Sequence, residues 1–238
     1  MNKDPRPFAE ELERLMARLF IMAELAEQRL RTVLQALVDR DGNTLAEVIA
    51  GDSEIDELQI EIDNSCFTLF ALYQPVAVDL RTIVSVLKIN ADLERVGDIA
   101  VNIGEAGQRY LQHPPVKPLV DVPRMGVLAL KMLREALDSF VTMDASLAKN
   151  VLRQDDWLDA LKDQILRELL TYMLGNQRVV EPGVDLILIS RQLERVGDHA
   201  TNIAEDVIFI VEARDVRHRS SAGFPPVERR RNSGPAAV

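Results

Sequence analysis

The chain has 238 residues, enough to bury a substantial core as one domain or as two half-size ones. Its 38 acidic residues outnumber 28 basic ones for a net charge of -10, which argues against a general nucleic-acid surface and permits cation binding. The single cysteine, Cys66, excludes an intramolecular disulfide; neither an apolar signal core in Met1 to Glu11 nor a run of ~18 apolar residues is found, so the expectation is a soluble, cytoplasmic protein.

Nearly the whole chain reads as long amphipathic helices. Helix one runs from about Phe8 to Val38, and Thr44-Leu45-Ala46-Glu47 offers a capping box for helix two, which ends near Tyr73. Pro75 suits the first turn of helix three, which continues to about Gln112 before His113-Pro114-Pro115 and Pro118 break it. Helix four spans about Val122 to Met143 and helix five about Leu147 to Leu174. Gly175-Asn176 then turns into helix six, about Pro182 to Arg214. The segment 214–238 changes character, with Ser220-Ser221-Ala222-Gly223, Pro225-Pro226 and Arg229-Arg230-Arg231, and reads as a flexible basic tail.

The helices repeat. Leu93-Glu94-Arg95-Val96-Gly97-Asp98-Ile99-Ala100-Val101-Asn102-Ile103 returns as Leu193-Glu194-Arg195-Val196-Gly197-Asp198-His199-Ala200-Thr201-Asn202-Ile203, nine of eleven positions identical. Leu30, Arg31, Leu34, Asp41, Asp52 and Asp56 also recur, at an offset of 103, as Leu133, Arg134, Leu137, Asp144, Asp155 and Asp159. Three long helices with short connections pack as an up-down-up bundle. The expected fold is therefore all-α, two tandem three-helix bundles: residues 1–113, residues 119–213, and then the tail.

On helices three and six the Glu, Asp and Asn of the motif stand at i, i+4 and i+8, along one face. At ~100° per residue, Glu94, Asp98 and Asn102 share their sector with Leu80, Ile83, Val84, Leu87 and Ala91, so the carboxylates extend an apolar stripe. Asp52 and Asp56 likewise share a sector with Leu45, Val48, Ile49, Phe67 and Phe70, and Asp155 and Asp159 with Val151, Leu152, Leu166 and Leu170. In an antiparallel hairpin, residues of equal index sum lie at one height. Asp52 with Asp98 and Asp56 with Glu94 both sum to 150, centring the turn on Pro75; Asp155 with Asp198 and Asp159 with Glu194 both sum to 353, centring it beside Gly175. Two carboxylates from each helix thus converge in each half.

Such a group needs positive charge, because an unpaired buried carboxylate costs several kcal/mol. Oxygen donors favour Mg, Mn, Fe or Ca over Zn, with no soft ligand for copper. Gly97 and Gly197, at ~1 kcal/mol each in a helix interior, fit a close helix approach beside such a site. The competing reading is an internal ion-pair network, since Arg95 and Arg195 lie within the motifs and Arg31 and Arg134 at nearly the same height. Ser190 and Arg191 stand where the first copy has Asn90 and Ala91, which weakens the second site. His199 lies ~100° off the ligand face and reads as a packing or surface histidine; His113 at a helix end and His218 in the tail read as solvated. The opposite face of helix three, Ile89, Leu93, Val96, Ala100 and Ile103, is too apolar for one bundle. It calls for packing of the two halves on each other first, or a homodimer second.

The doubled Leu-Glu-Arg-Val-Gly-Asp-x-Ala-x-Asn-Ile motif resembles that of the PhoU family, over roughly residues 8 to 213. That resemblance implies multinuclear metal clusters of iron, manganese, magnesium or zinc, held by Asp52, Asp56, Glu94, Asp98 and Asn102 in site one and by Asp155, Asp159, Glu194, Asp198 and Asn202 in site two. It also implies a non-enzymatic cytoplasmic adaptor between the ATPase subunit of the phosphate ABC transporter and a sensor histidine kinase, meeting the membrane only through those partners and repressing the phosphate-starvation response when phosphate is plentiful. Two other classes stand beside it: a helical di-metal oxidase or phosphatase, although the Glu-x-x-His spacing of ferritin-like oxidases is absent, and a metal-free scaffold with arginine-neutralised acidic faces.

Overall fold

In the computed structural model, residues 5–51, 53–214 and 216 are described. Asp52, His218 and all but two residues of the tail, each read from sequence above, lie outside them. Among the described residues the elements are α1 (Pro5–Asp39), α2 (Gly42–Ala50), α3 (Ser53–Tyr73), α4 (Ala77–Leu111), α5 (Asp121–Thr142), α6 (Ala145–Gly175), a single 3-10 turn (Gln177–Val179) and α7 (Val180–Glu212), with no strand.

The expected second helix is two helices, because the chain breaks at Gly51 between α2 and α3. The equivalent position in the second half is Gln154, a good helix former, and α6 runs through it unbroken. The capping box at Thr44 is also displaced. Asp41 is the N-cap of α2, its Oδ1 accepting from the backbone N–H groups of Asn43 and Thr44 at 3.0 and 3.2 Å. Asp144 does the same for α6, accepting from Ser146 and Leu147 at 2.7 and 3.1 Å. The residue before each cap, Arg40 or Met143, is left-handed at φ 57° and 51°, and the cap's own N–H returns to the carbonyl of Ala36 or Ser139 at 2.9 Å. Each chain reversal thus closes the outgoing helix and caps the next one.

The halves share one core. Ile89, Leu93, Val96, Ala100 and Ile103 on α4, and their counterparts Ile189, Leu193, Val196, Ala200 and Ile203 on α7, are all fully buried where these two helices pack against each other. The apolar face that called for a cover is therefore covered within the chain. Polar contacts fix the register of the seam. Lys88 Nζ lies 2.8 Å from Asp206 Oδ1, Asn202 Nδ2 3.1 Å from Asp92 Oδ1, and Arg109 Nε 3.0 Å from Asp185 Oδ1. All three pairs share an index sum of 294, as antiparallel neighbours must, and Gly97 with Gly197 lies at the centre of that register, where a pseudo-twofold axis would pass. Asp185 and Asp206 are buried, and each has a cation from the other half.

The outer helices also meet. Phe20 of α1 and Phe140 of α5 contact edge to face at 6.5 Å between centroids. Close by, Gly126 of α5 admits Leu34 of α1: a Cβ there would stand 2.7 Å from Leu34 Cδ1. Cys66 is fully buried in the α3 face, and burial followed by the Asp63 charge pushes its thiol up to about 12, so it acts as a small hydrophobe.

Candidate metal centre

The described acidic residues lie on two antiparallel hairpins, α3 with α4 and α6 with α7, each formed by helices that pack along their length. In the second hairpin the index-sum pairing corresponds to real proximity. Burial raises the Asp155 carboxyl above its ordinary value of 3.8, and the charges of Asp159, Asp198, Asp156 and Glu194 push it further in that order. Asp198 is raised as well, first by burial and then by Glu194, with His199 and Lys162 opposing. Asp155, Asp159, Glu194 and Asp198 thus form one electrostatic unit across two helices.

Gly197 allows that unit to be compact. A Cβ at this position would come within 2.3 Å of Leu158 Cδ2 and 3.7 Å of Asp155 Oδ1. The α7 backbone therefore approaches α6 at the height of the carboxylates, which is the role the sequence suggested for the motif glycine.

A cation already stands among these acids. Lys162 Nζ lies 2.8 Å from Asp159 Oδ1 on its own helix and 2.9 Å from Glu194 Oε1 on the facing one, and these two hydrogen bonds raise the lysine above its usual range. Sequence reading overlooked Lys162. Its signal was the i, i+3 spacing from Asp159, and its reach to Glu194 depends on the hairpin register.

The first hairpin is arranged differently. Arg95 spans Glu94 Oε2 at 3.3 Å and Asp98 Oδ2 at 2.8 Å, all three on α4, with half of the arginine side chain exposed. Asp56 is an exposed residue of α3. The position equivalent to Lys162 is Gln59. Above it the fully buried Asn90 ties the helices together, donating from Nδ2 to the Gln59 carbonyl at 3.0 Å and to Asp63 Oδ1 at 2.9 Å.

Other residues of the sequence reading divide between these clusters and the seam. Arg195 donates to Gln192 at 3.2 Å rather than to an acid, and Arg31 pairs with Glu27 along α1, so neither neutralises a cluster. Arg134 is exposed. Asn202 is turned to Asp92 of the other half, and His199 Nδ1 shares the same carboxylate oxygen at 2.8 Å, which makes His199 a packing residue of the seam. Asn102 is exposed on α4, and His113 lies 3.7 Å from Glu181.

Among the described residues, no three His, Cys, Asp or Glu side chains are disposed to hold a metal ion as they stand. Carboxylates that raise one another's pKa carry excess negative charge, and the Lys162 ammonium already supplies a cation to two of them.

Fold and site together define a class: an all-α protein of two repeated three-helix units, the second helix of the first broken at Gly51, joined through a central helix pair, each with a carboxylate-rich hairpin. The PhoU-domain family profile matches residues 19–107 and again residues 122–207. The chain belongs to the PhoU family. It is 41% identical over 205 residues to the phosphate-specific transport system accessory protein PhoU homolog of Caulobacter vibrioides, covering 86% of this chain and 89% of that one. The corresponding homolog of Pseudomonas aeruginosa is 39% identical over 225 residues, 92% and 93% of the two chains. Among solved structures, PhoU from Pseudomonas aeruginosa matches with a TM-score of 0.84 at 36% identity, over 87% of this chain and all of that one. The phosphate transport system regulatory protein PhoU from Streptococcus pneumoniae matches with a TM-score of 0.80 at 28% identity, over 88% and 99%. Among the described residues, no helix is long and apolar enough to cross a membrane.

Proposed function

We propose that this protein regulates phosphate transport as a non-catalytic cytoplasmic adaptor. In this reading it links the ATPase subunit of a phosphate ABC transporter to a sensor histidine kinase and restrains the phosphate-starvation response and phosphate uptake when phosphate is plentiful. The observation that carries it is the match to phosphate transport accessory proteins along almost their whole length, 89% and 93% of the two relatives. Exposed apolar side chains on the second hairpin, between its acids and its turn, support a partner-binding role: Leu166 and Leu170 on α6, and Val180, Val184 and Leu188 on α7, are 38 to 45% exposed. A homodimer across such faces is part of the same proposal.

Metal belongs to this reading as a structural or regulatory cofactor. Site one would be Asp52, Asp56, Glu94, Asp98 and Asn102, and site two Asp155, Asp159, Glu194 and Asp198, holding a hard or borderline ion such as Fe, Mn, Mg or Zn. Asn202, the fifth residue expected in site two, is turned instead to Asp92. Bound there, it would neutralise the carboxylates and cross-link the two helices of each hairpin.

The test is complementation. In a bacterium lacking its own PhoU protein, expression of this chain should silence a phosphate-starvation reporter in high phosphate, and the transporter ATPase subunit should co-purify with it. A reporter that stays active although the protein is folded and abundant would overturn the adaptor reading.

A further inference from the structure

The outer surface of α5 and α6 holds a groove whose chemistry the first half does not repeat. Arg124, Leu128, Trp157, Ala160, Leu161 and Gln164 line a cleft of about 420 Å³, within the ~300–1,000 Å³ of binding sites. Trp157, the one tryptophan of the chain, is 64% exposed there, and its indole N–H makes no hydrogen bond among the described residues. At the offset of 103 the first half has Ile21, Leu25, Glu54, Glu57, Leu58 and Glu61 at these positions. Duplication of the fold therefore accounts for the two leucines, but not for the tryptophan, the arginine or the replacement of three glutamates.

The groove is positive although the chain carries a net charge of -10. Arg124 and Arg153, the latter four residues before Trp157, are exposed, and neither side chain makes a hydrogen bond or ion pair among the described residues. The acids at the two ends of the groove are already held. Lys117 binds Asp121 at 2.6 Å and Glu168 at 2.5 Å, so Arg124 reaches Asp121 by its charge alone, and Glu135 accepts from Gln154 and Asn150. The other acids of this stretch of α6, Asp155, Asp156, Asp159 and Asp163, stand ~100° or more around the helix from Trp157.

We propose that this groove docks an acidic amphipathic helix of a partner protein, its apolar residues seated over Leu128, Trp157 and Leu161 and its carboxylates on Arg124, Arg153 and the indole N–H. Two helices side by side offer a third a ridged channel, and tryptophan and arginine are the residue types that carry most of the energy of such contacts. The chain's own C-terminal segment has the wrong charge, with five arginines and one acid in residues 217–238. A second copy presents its glutamates on a face of two helices, α1 beside α3, which spans a groove without entering it. An adaptor would use such a groove, but its chemistry does not depend on which system the partner serves.

The test uses the full-length protein, with Trp157 as its own reporter. Two synthetic tryptophan-free helical peptides are titrated, sharing a leucine stripe at i, i+3, i+4 and i+7 and carrying either glutamates or lysines on its flanks. Because the protein as a whole is acidic, its overall field favours the lysine peptide, and the groove must reverse that order. The glutamate peptide should shift Trp157 emission to the blue, saturably, and bind at least about tenfold tighter than the lysine peptide. Arg124→Glu/Arg153→Glu, folded by circular dichroism, should invert the preference. Equal shifts with both peptides, no shift with either, or a preference that survives the double charge reversal would overturn the inference. So would wild-type dimers in sedimentation that the glutamate peptide cannot displace and that the double reversal dissociates, since a second copy would then own the groove.

Discussion

The α3–α4 hairpin and the α6–α7 hairpin present the same Glu, Asp and Asn at the same spacing, yet their surroundings differ. In the first, α2 breaks from α3 at Gly51, the middle of the helix pair is tied by the buried Asn90, and the acids of α4 meet an exposed arginine. In the second, α6 is continuous, Ser190 replaces Asn90 and bonds its own helix at Ile187, and a lysine crosses between the helices. The lesson is that a repeated motif specifies acids, whereas the positive charge those acids meet is specified by residues outside the motif. Gln59 and Lys162 are such residues.

The sharpest way to break the comparison is to cut the core that both halves share. Leu93→Ala and Leu193→Ala each remove a fully buried side chain from the α4–α7 seam and should each cost ~2–5 kcal/mol. Because both halves bury their apolar faces on this seam, denaturant unfolding should remain a single transition in either variant. Two resolved transitions in Leu193→Ala would mean that the halves fold independently.

Gly197→Val comes next. Its branched side chain would meet Leu158, which is fully buried, and the substitution should lower stability by ~1–3 kcal/mol. Adding Leu158→Ala should recover part of that loss in a thermal melt. Full additivity of the two substitutions would show that the close approach is not what the glycine serves.

The caps test where the halves agree. Asp41→Ala and Asp144→Ala each leave helix N–H groups without their carboxylate acceptor and should lower the melting temperature by similar, small amounts. A large difference between them would make the two reversals unequal despite their matching geometry.

The smallest effect is one of pH. Asp155 and Asp198 are raised in the folded protein, so the folded state holds its protons to higher pH than the unfolded chain. Metal-free protein therefore loses stability as pH rises from about the ordinary carboxyl value of 3.8 through the raised values. Asp155→Asn should melt above wild type in chelator at pH 7, and that gain should shrink as pH falls toward 4. Asp98→Asn in the first hairpin gives up an exposed ion pair to Arg95 and should stay within ~1 kcal/mol of wild type. A pH-independent gain in Asp155→Asn would locate its effect in packing instead.

Much of this molecule was legible from periodicity and repetition. The helical stripes, the proline-marked boundary between halves, the need to cover the face of Leu93 and Val96, and the packing role of His199 follow from local geometry, because a helix fixes which residues share a face. The proximity of Asp155, Asp159, Glu194 and Asp198 was legible too, since an antiparallel pair obliges residues of equal index sum to meet. The Gly51 break was missed because its neighbours carry an uninterrupted apolar stripe. The capping aspartates were missed because Thr44 offered a plausible alternative, although Asp41 and Asp144 were already visible as repeats.

What sequence could not supply is which polar partners meet across elements far apart in the chain. Asp92 with His199 and Asn202, Lys88 with Asp206, and Arg109 with Asp185 exist because α4 and α7 pack in one register, and Lys162 reaches Glu194 because α6 and α7 do. Sequence by itself determined the helices, their duplication and the supply of carboxylates, which are local properties of residue type and spacing. Tertiary structure alone decided how that charge is balanced, because a long flexible cation on a helix surface can turn to several partners, and only the packed neighbours decide which one it finds.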